Sequence, residues 1–216
     1  ITMGAGLWFA LVVSPADYQQ GDSVRIMYIH VPAAWMAMFT YVVIAGASVV
    51  GLVWKQPLAE IAAKSAAPIG AAFTLIALVT GSLWGKPMWG TWWVWDARLT
   101  SMLILLFLYI GYMALWQTID DPVRGAKAAA ILALVGSVNL PIIKFSVDWW
   151  NTLHQPASVV RMDGPAIHAS ILIPLLVMAA GFTAYFVVVL LWRIKAEVLA
   201  RRIHSVRLMQ AQGIIS

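Results

Sequence analysis

Residues 32–54 read PAAWMAMFTYVVIAGASVVGLVW and contain no charged side chain in 23 positions. As an α-helix, a stretch of this length rises about 34 Å. That is enough to cross the hydrocarbon core of a bilayer, which is about 30 Å thick. The stretch also has no charged face to turn towards water. It therefore predicts a transmembrane helix.

Similar apolar runs occur along the rest of the chain, at residues 66–84, 99–116, 128–143 and 168–192. A run at residues 1–13 rises only about 20 Å as a helix, too short for a bilayer. Because neither an initiator Met nor a charged segment precedes this run, it is not typical of a signal peptide. We expect it to be the second half of a transmembrane helix whose start is missing. The predicted fold class is all-α, a polytopic membrane helical bundle with six transmembrane helices, the first incomplete.

Composition favours one membrane domain. The 216 residues are 62% hydrophobic and 11% charged, too few charges to cover a soluble domain. The formal net charge is +5, but the basic residues gather beside the ends of the apolar runs, as anchoring in a lipid bilayer requires, so nucleic acid is not an expected partner. We expect a single membrane domain over residues 1–216. Its outer loops are predicted at residues 14–31, 85–98 and 144–167, and its basic cytoplasmic tail at residues 193–216.

The distribution of Lys and Arg predicts the orientation. With the C-terminal tail in the cytoplasm, nine basic residues fall on the cytoplasmic side and five on the other, in agreement with the positive-inside rule. The outer loops then face the periplasm of a bacterial inner membrane. The runs contain no ionisable residue between their ends, which disfavours ion-coupled transport through the spans.

The absence of certain motifs excludes several kinds of chemistry. The chain has no cysteine, so it has no disulfide, iron–sulfur cluster, thiolate haem ligand or covalent haem-attachment motif. Neither a GK[ST] phosphate loop nor a G-x-S-x-G elbow is present, so no ATPase or hydrolase motif exists. A binding and delivery role is therefore favoured over an enzymatic one.

Tryptophan is concentrated in the second outer loop. Five of the twelve tryptophans fall within twelve residues, which is more than interfacial anchoring of a helix end requires. Such a cluster predicts a rigid, flat apolar surface for a planar hydrophobic ligand. The alternative is a Trp-rich loop that packs on the bundle. The cluster consists of Trp84, Trp89, Trp92, Trp93 and Trp95.

Three charged residues beside these loops are further candidates. Asp96 follows the last of these tryptophans, and we expect it to cap the N-terminus of the next helix. Arg98 can pair with Asp96 or bind a ligand carboxylate with its guanidinium fork. Arg25, five residues before a loop histidine, is a second candidate for such a carboxylate contact. For both arginines the alternative is an ordinary surface charge.

Two histidines occur in matching contexts on the outer side, His30-Val-Pro-Ala and His154-Gln-Pro-Ala. Because Pro begins helices well, each His is predicted to lie just before a helix N-terminus. The positive end of the helix dipole disfavours imidazolium there and leaves a neutral nitrogen that can bind a metal. His168 is predicted to form hydrogen bonds at a helix start, and His204 receives no function.

Two neutral imidazoles, an apolar shelf and arginines for carboxylates together suit haem b, with His30 and His154 as axial ligands of the iron. Zinc usually needs three or four close protein ligands, and no H-E-x-x-H spacing is present.

At residues 89–100, WGTWWVWDARLT, the chain resembles the tryptophan-rich WWD motif of haem-handling proteins in cytochrome c maturation. Length, span number and outer histidines are similar to one family in particular, heme exporter protein C. The resemblance implies that His30 and His154 are axial ligands and that Trp89 to Asp96 form the haem platform. It also implies delivery of haem to a periplasmic membrane-anchored haem chaperone, and work beside a small single-span subunit and the membrane and ATPase subunits of an ATP-binding-cassette transporter.

Other functions stay open from the sequence. A cytochrome c haem lyase shares the WWD motif, although such proteins generally have more spans and histidines than this chain. A transmembrane haem exporter or channel would need a polar path that the spans do not offer. A purely structural subunit would leave the tryptophan cluster and the paired histidines without a role.

Overall fold

The computed structural model describes residues 1–156, 158–159 and 161–214. Ala157, the last residue of the second His-x-Pro-Ala phrase, and the final two residues of the predicted membrane domain lie outside this range. The described part of the chain is helical and contains no β-strand, which confirms the predicted all-α fold. The helices are α1 (Thr2–Trp8, continued by the π-helix Phe9–Val13), α2 (Met27–Trp54, preceded by the 3-10 helix Asp22–Ile26), α3 (Pro57–Trp89), α4 (Ala97–Thr118), α5 (Pro122–Gly136), α6 (Asn139–Trp149) and α7 (Ala169–Ala211).

In the described part of the chain, five helical segments are long and apolar enough to cross a membrane, with α5 and α6 counted as one interrupted segment. The apolar helix Thr2–Val13 is shorter, as the sequence predicts for the first run. The chain is therefore a multi-pass membrane protein.

Helix starts follow local rules. Asp96 caps α4, because its Oδ1 accepts a hydrogen bond from the Leu99 N–H at 2.8 Å. Asp121 caps α5 in the same way, and α3 and α5 both begin at a proline. His168 caps α7, where its Nδ1 accepts from the Ser170 N–H at 3.3 Å. The predicted roles of Asp96 and His168 at helix starts are thus confirmed.

The fifth apolar run is broken rather than continuous. α5 ends at Gly136 and α6 begins at Asn139, after a short turn. Pro141 has no N–H with which to continue the helical ladder back to Ser137. Asn139 is buried at the break, and its side-chain amide donates to the Ser101 carbonyl of α4 at 2.8 Å. This hydrogen bond joins the start of α6 to α4. The following residues of α6 therefore lie beside the start of α4.

Two glycines leave room for buried tyrosines that pack between the helices. The Tyr109 hydroxyl of α4 donates to the Ala37 carbonyl of α2 at 2.7 Å. A Cβ at Gly70 of α3 would lie 2.2 Å from the same tyrosine ring, so no larger residue fits there. Tyr41 is packed in the same way against Gly136 of α5. These contacts join α4 to both α2 and α3, and α2 to α5.

The helices extend into all three predicted outer loops. α2 begins at Met27, α3 ends at Trp89 and α6 ends at Trp149, within the ranges predicted as loops 14–31, 85–98 and 144–167. The residues after Trp192, predicted as a basic tail, continue α7 as a helix as far as Ala211. The end of the bundle predicted to lie outside is therefore built mainly from helix ends.

Candidate functional site

A cavity of about 250 Å³ opens at the end of the bundle where α2 and α4 begin and α3 and α6 end. The segment between α6 and α7 closes one side of it. Four tryptophans, His30 and His154 line the cavity, together with methionine and aliphatic side chains. The aromatic and charged lining residues are His30, Trp35, Trp84, Trp89, Trp93, Arg98, Lys144, Asp148 and His154.

His30 lies in the first turns of α2 and faces α3. Its Nδ1 is 3.0 Å from the Ala77 carbonyl oxygen and 3.1 Å from the Thr80 hydroxyl. A carbonyl oxygen only accepts, so Nδ1 carries the proton and donates. In the neutral ring the other nitrogen, Nε2, then has its lone pair free for a metal.

The close fit of His30 against α3 depends on Gly81. A Cβ at this position would lie 2.9 Å from Cε1 of the His30 ring, closer than such atoms approach in proteins. The absence of a side chain at Gly81 therefore lets the imidazole reach the backbone of α3.

His154 lies in the segment between α6 and α7. Its Nδ1 is 2.9 Å from the Gln155 carbonyl oxygen, so the same argument assigns the proton to Nδ1 and leaves Nε2 free. Burial lowers the pKa of the His154 imidazole, and the positive charge of Arg98 lowers it further; the Gln155 hydrogen bond and the Asp96 charge act in the opposite direction. The net shift favours the neutral ring.

The predicted helix starts beside these histidines are wrong. His30 lies inside α2, which begins at Met27 and continues through Pro32. No helix begins at Pro156 among the described residues around it. A proline two residues after a histidine is a local signal, and at His30 the packing of α2 against α3 outweighs it. The tautomers of the two rings follow from carbonyl contacts rather than from helix dipoles.

The two histidine rings lie close together at the cavity. Their ring centres are 6.4 Å apart, with ring planes inclined by 37°. Two metal–imidazole bonds of about 2 Å each, as for zinc, plus the distance from each nitrogen to its ring centre, add to about 6 Å. The separation thus fits one iron ion between two axial imidazoles, and an apolar aromatic cavity suits a macrocycle. Two histidines do not make a zinc site of three or four ligands, and the described residues hold no cluster of three or more His, Asp or Glu suited to a metal ion.

The five tryptophans of the cluster divide into two groups. Trp84, Trp89 and Trp93 line the cavity. The Trp84 ring centre is 5.8 Å from that of His30, and the Trp89 ring centre is 6.4 Å from that of His154. The Trp84 indole N–H donates to the Gln20 side chain at 3.0 Å.

The other two tryptophans do not line the cavity. Trp92 and Trp95 are 53% and 75% exposed at the surface beside it. The ring centres of Trp93 and Trp95 are 5.4 Å apart in an edge-to-face arrangement, and the Lys86 ammonium lies over the Trp92 ring, 5.8 Å from its centre. The cluster therefore forms a wall of the cavity and an apolar surface next to its mouth.

The two candidate arginines have different positions. Arg98 lines the cavity and its guanidinium donates to the Ile143 carbonyl of α6. Arg25 is not among the lining residues; it pairs with Asp22 at 3.0 Å and donates to the carbonyls of Ala10 and Leu11. In this structure Arg25 joins the end of the first helical segment to the start of α2.

Sequence reasoning did not single out Lys144, Asp148 or Thr80. Lys144 and Asp148 are four residues apart, which places both on one face of α6 towards the cavity. That spacing was visible in the sequence, but residues 144–167 were interpreted as a loop. Thr80 had no signal, because a threonine in an apolar run usually bonds back to its own helix, as Thr80 also does to the Ile76 carbonyl.

Comparison with known proteins identifies the family of this chain. The model of the heme exporter protein C family matches residues 1–209. A heme exporter protein C from Bradyrhizobium diazoefficiens is 61% identical over 211 residues, which cover 98% of this chain and 80% of that protein. The Haemophilus influenzae protein of the same name is 51% identical over 199 residues, 92% of this chain and 81% of that protein.

A relative in a plant has a related name. A ccmC-like mitochondrial protein of Marchantia polymorpha, named for cytochrome c biosynthesis, is 51% identical over 176 residues. These residues cover 82% of this chain and 74% of that protein. The match therefore extends over bacterial and mitochondrial relatives and over nearly the whole chain. The chain belongs to the heme exporter protein C family, which confirms the resemblance seen at the tryptophan motif.

Proposed function

We propose that this chain binds haem b at the periplasmic face of a bacterial inner membrane, with His30 and His154 as axial ligands. It then delivers the haem to a periplasmic membrane-anchored haem chaperone for c-type cytochrome biogenesis. A haem-handling role follows from membership of the family. The observation that supports the ligand assignment is the pair of imidazoles that line one cavity with their ring centres 6.4 Å apart.

The tautomers support axial ligation. Both Nδ1 atoms are engaged by backbone carbonyl oxygens, of Ala77 and of Gln155. Such contacts orient a metal-bound imidazole and make its other nitrogen a better ligand. Both rings therefore present Nε2 as the ligand atom without a change of protonation.

Polar groups at the cavity suit the two propionates of haem. Arg98 and Lys144 line the same cavity, and cations bind carboxylates well in such partly buried sites. The indole N–H of Trp93 is buried, lines the cavity and has no partner among the described residues. We infer that these three donors hold the carboxylate edge of haem, while Trp84 and Trp89 contact its apolar part.

We infer that the cavity encloses only part of a haem. Its volume of about 250 Å³ is below the range of about 300–1,000 Å³ for small-molecule clefts and cavities. An edge of the macrocycle then extends towards Trp92 and Trp95, which are exposed. A cofactor held in this way stays accessible to a second protein, as delivery requires.

The remaining partners follow from the family resemblance and the charge distribution. The whole chain acts as one membrane domain with a cytoplasmic C-terminus, because basic residues are more numerous on that side. Beside the chaperone we propose a small single-span subunit and the membrane and ATPase subunits of an ATP-binding-cassette transporter as its partners. The chain itself carries no phosphate-binding motif for ATP.

The visible spectrum of the purified protein tests the ligand pair. The parent is expected to show a six-coordinate, low-spin haem, and His30→Ala and His154→Ala are each expected to lose the haem or give a five-coordinate, high-spin spectrum. His168→Ala is the matched control, because His168 caps α7 and does not line the cavity. An unchanged low-spin spectrum in both single variants would show that these histidines are not the axial ligands.

A further inference from the structure

The end of α7 extends well beyond the length of a membrane span. The helix runs from Ala169 to Ala211 without a break, 43 residues, or about 65 Å. The hydrocarbon core needs about 30 Å of this. The residues after Trp192 therefore form a helical extension that leaves the bilayer in the direction of the span, and one of its faces is packed against α3.

The packed face of the extension is fixed by polar contacts. Arg193 donates to the Ser65 carbonyl of α3 at 3.0 Å. Glu197 binds Lys64 of α3 at 2.7 Å and Arg201 of its own helix at 3.1 Å. These contacts hold the extension against the start of α3 and use the only acidic residue between residues 193 and 211.

The opposite face carries an exposed apolar stripe. Leu199, Ile203 and Val206 are 46%, 52% and 42% exposed, and they are spaced by four and then three residues. Ala196 and Gln210 continue the same spacing at both ends. We call these five positions the terminal stripe. Alternate spacing of three and four is the pattern by which one helix packs along another.

Basic residues flank the terminal stripe on both sides. Lys195 and Arg202 lie along one edge and Arg207 along the other, and all three are exposed. These are the positions whose charges decide which helix pairs with which in a coiled coil. With no free carboxylate on this face, the surface complements a helix whose own stripe is flanked by Glu or Asp.

We propose that the terminal stripe is a docking surface for an acidic amphipathic helix of another protein. A second copy of this chain is a poor occupant, because a parallel pair would bring Arg202 of one copy beside Arg207 of the other, and like charges there are destabilising. The bilayer is also a poor occupant. The extension is continuous with the span and is held against α3 through Glu197 and Lys64, so it does not lie along the membrane surface.

Two synthetic peptides test the proposal on the full chain in detergent. Both are helical, about three heptads long, with Leu at the stripe positions; one carries Glu and the other Lys at the flanking positions. The acidic peptide is expected to bind at least about tenfold more tightly than the basic one. Arg202→Glu with Arg207→Glu is expected to reverse this preference, and Leu199→Ser with Ile203→Ser to weaken the acidic peptide by about tenfold or more.

Leu208→Ser is the matched control, because Leu208 is 50% exposed on the same extension but outside the terminal stripe; unchanged peptide binding is expected. Equal affinity for both peptides would overturn the proposal. So would self-association of the parent that is lost with Leu199→Ser and Ile203→Ser, which would identify a second copy as the occupant.

The bilayer is tested with a spin label. Because the chain contains no cysteine, Leu199→Cys creates a unique labelling site. In liposomes that contain anionic lipid, the proposal predicts a label accessible to an aqueous nickel chelate. A label that is accessible to oxygen but shielded from nickel would show that the stripe lies in the bilayer and would overturn the proposal.

Discussion

His30 and His154 face the same cavity, but the structure supports them in different ways. His30 is on a helix, and its Nδ1 contacts two residues of a second helix, Ala77 and Thr80. His154 is on an irregular segment, and among the described residues its Nδ1 contacts the next residue along the chain, Gln155. One histidine is therefore positioned by helix packing and the other by local backbone structure. This difference is compatible with the proposed binding and delivery of haem, because a change at His154 would leave the helix contacts of His30 in place.

Rescue of glycine variants by added imidazole is expected to give the largest difference between His30 and His154. His30→Gly and His154→Gly should each lose low-spin haem. Added imidazole should restore the low-spin spectrum in His154→Gly, because the loop leaves room for it, and should do so poorly in His30→Gly, where the ring lies against α3. Titration with imidazole, followed by the visible spectrum, measures both. Equal rescue at equal imidazole concentration would show that the two sites are equally accessible.

Gly81→Ala changes only the helix-borne site. The new Cβ would lie 2.9 Å from Cε1 of His30, so the ring must move away from the Ala77 carbonyl. We expect the haem content of the purified protein to fall severalfold. Gly46→Ala, also within an apolar helix but with no atom within 4 Å of its new Cβ, should keep parental haem content. Normal haem content in Gly81→Ala would mean that the close packing of His30 on α3 is not needed.

Thr80→Val is expected to have a smaller effect. It removes one of the two acceptors near His30 Nδ1 and leaves the Ala77 carbonyl in place. Loss of a group that orients a metal-bound histidine typically costs about 10–100-fold in affinity, and with one acceptor retained we expect less than about tenfold. Thr118→Val is the control, because Thr118 also bonds its own helix but lies at the far end of α4. Haem dissociation rates compare the variants, and equal rates would show that Thr80 does not orient the ring.

The smallest expected effect is a shift in pH dependence at the loop-borne site. Burial and then Arg98 lower the pKa of His154 below its ordinary value of 6.5. Protons compete with iron for Nε2, so a lowered pKa means that this competition begins only at more acid pH. In Arg98→Gln the pKa should rise, and acid loss of haem should begin at higher pH, whereas Arg98→Lys should stay close to the parent. NMR titration of His154 in the haem-free parent checks that its pKa is lowered. A titration midpoint above 6.5 in the parent would contradict this direction.

Much of the fold was predictable because its signals are local. The charge-free run at residues 32–54 is long enough for a bilayer, and the aspartate after the tryptophan cluster caps the next helix at Leu99, as its type and position indicate. The break between Gly136 and Asn139 had only the nearby Pro141 as a signal, and a single proline does not show whether a helix bends or stops.

Less of the candidate site was predictable, because its contacts join distant parts of the chain. The sequence by itself determined that two histidines, a tryptophan cluster and Arg98 belong to one end of a helical bundle, since hydrophobic length and helix caps act over a few residues. Only the tertiary structure decided that the two imidazole ring centres lie 6.4 Å apart, that Lys144 lines the cavity and that Arg25 does not. Such juxtapositions depend on how helices pack, on notches such as Gly81 and on buried hydrogen bonds, which link residues far apart in the chain and leave no periodic signal.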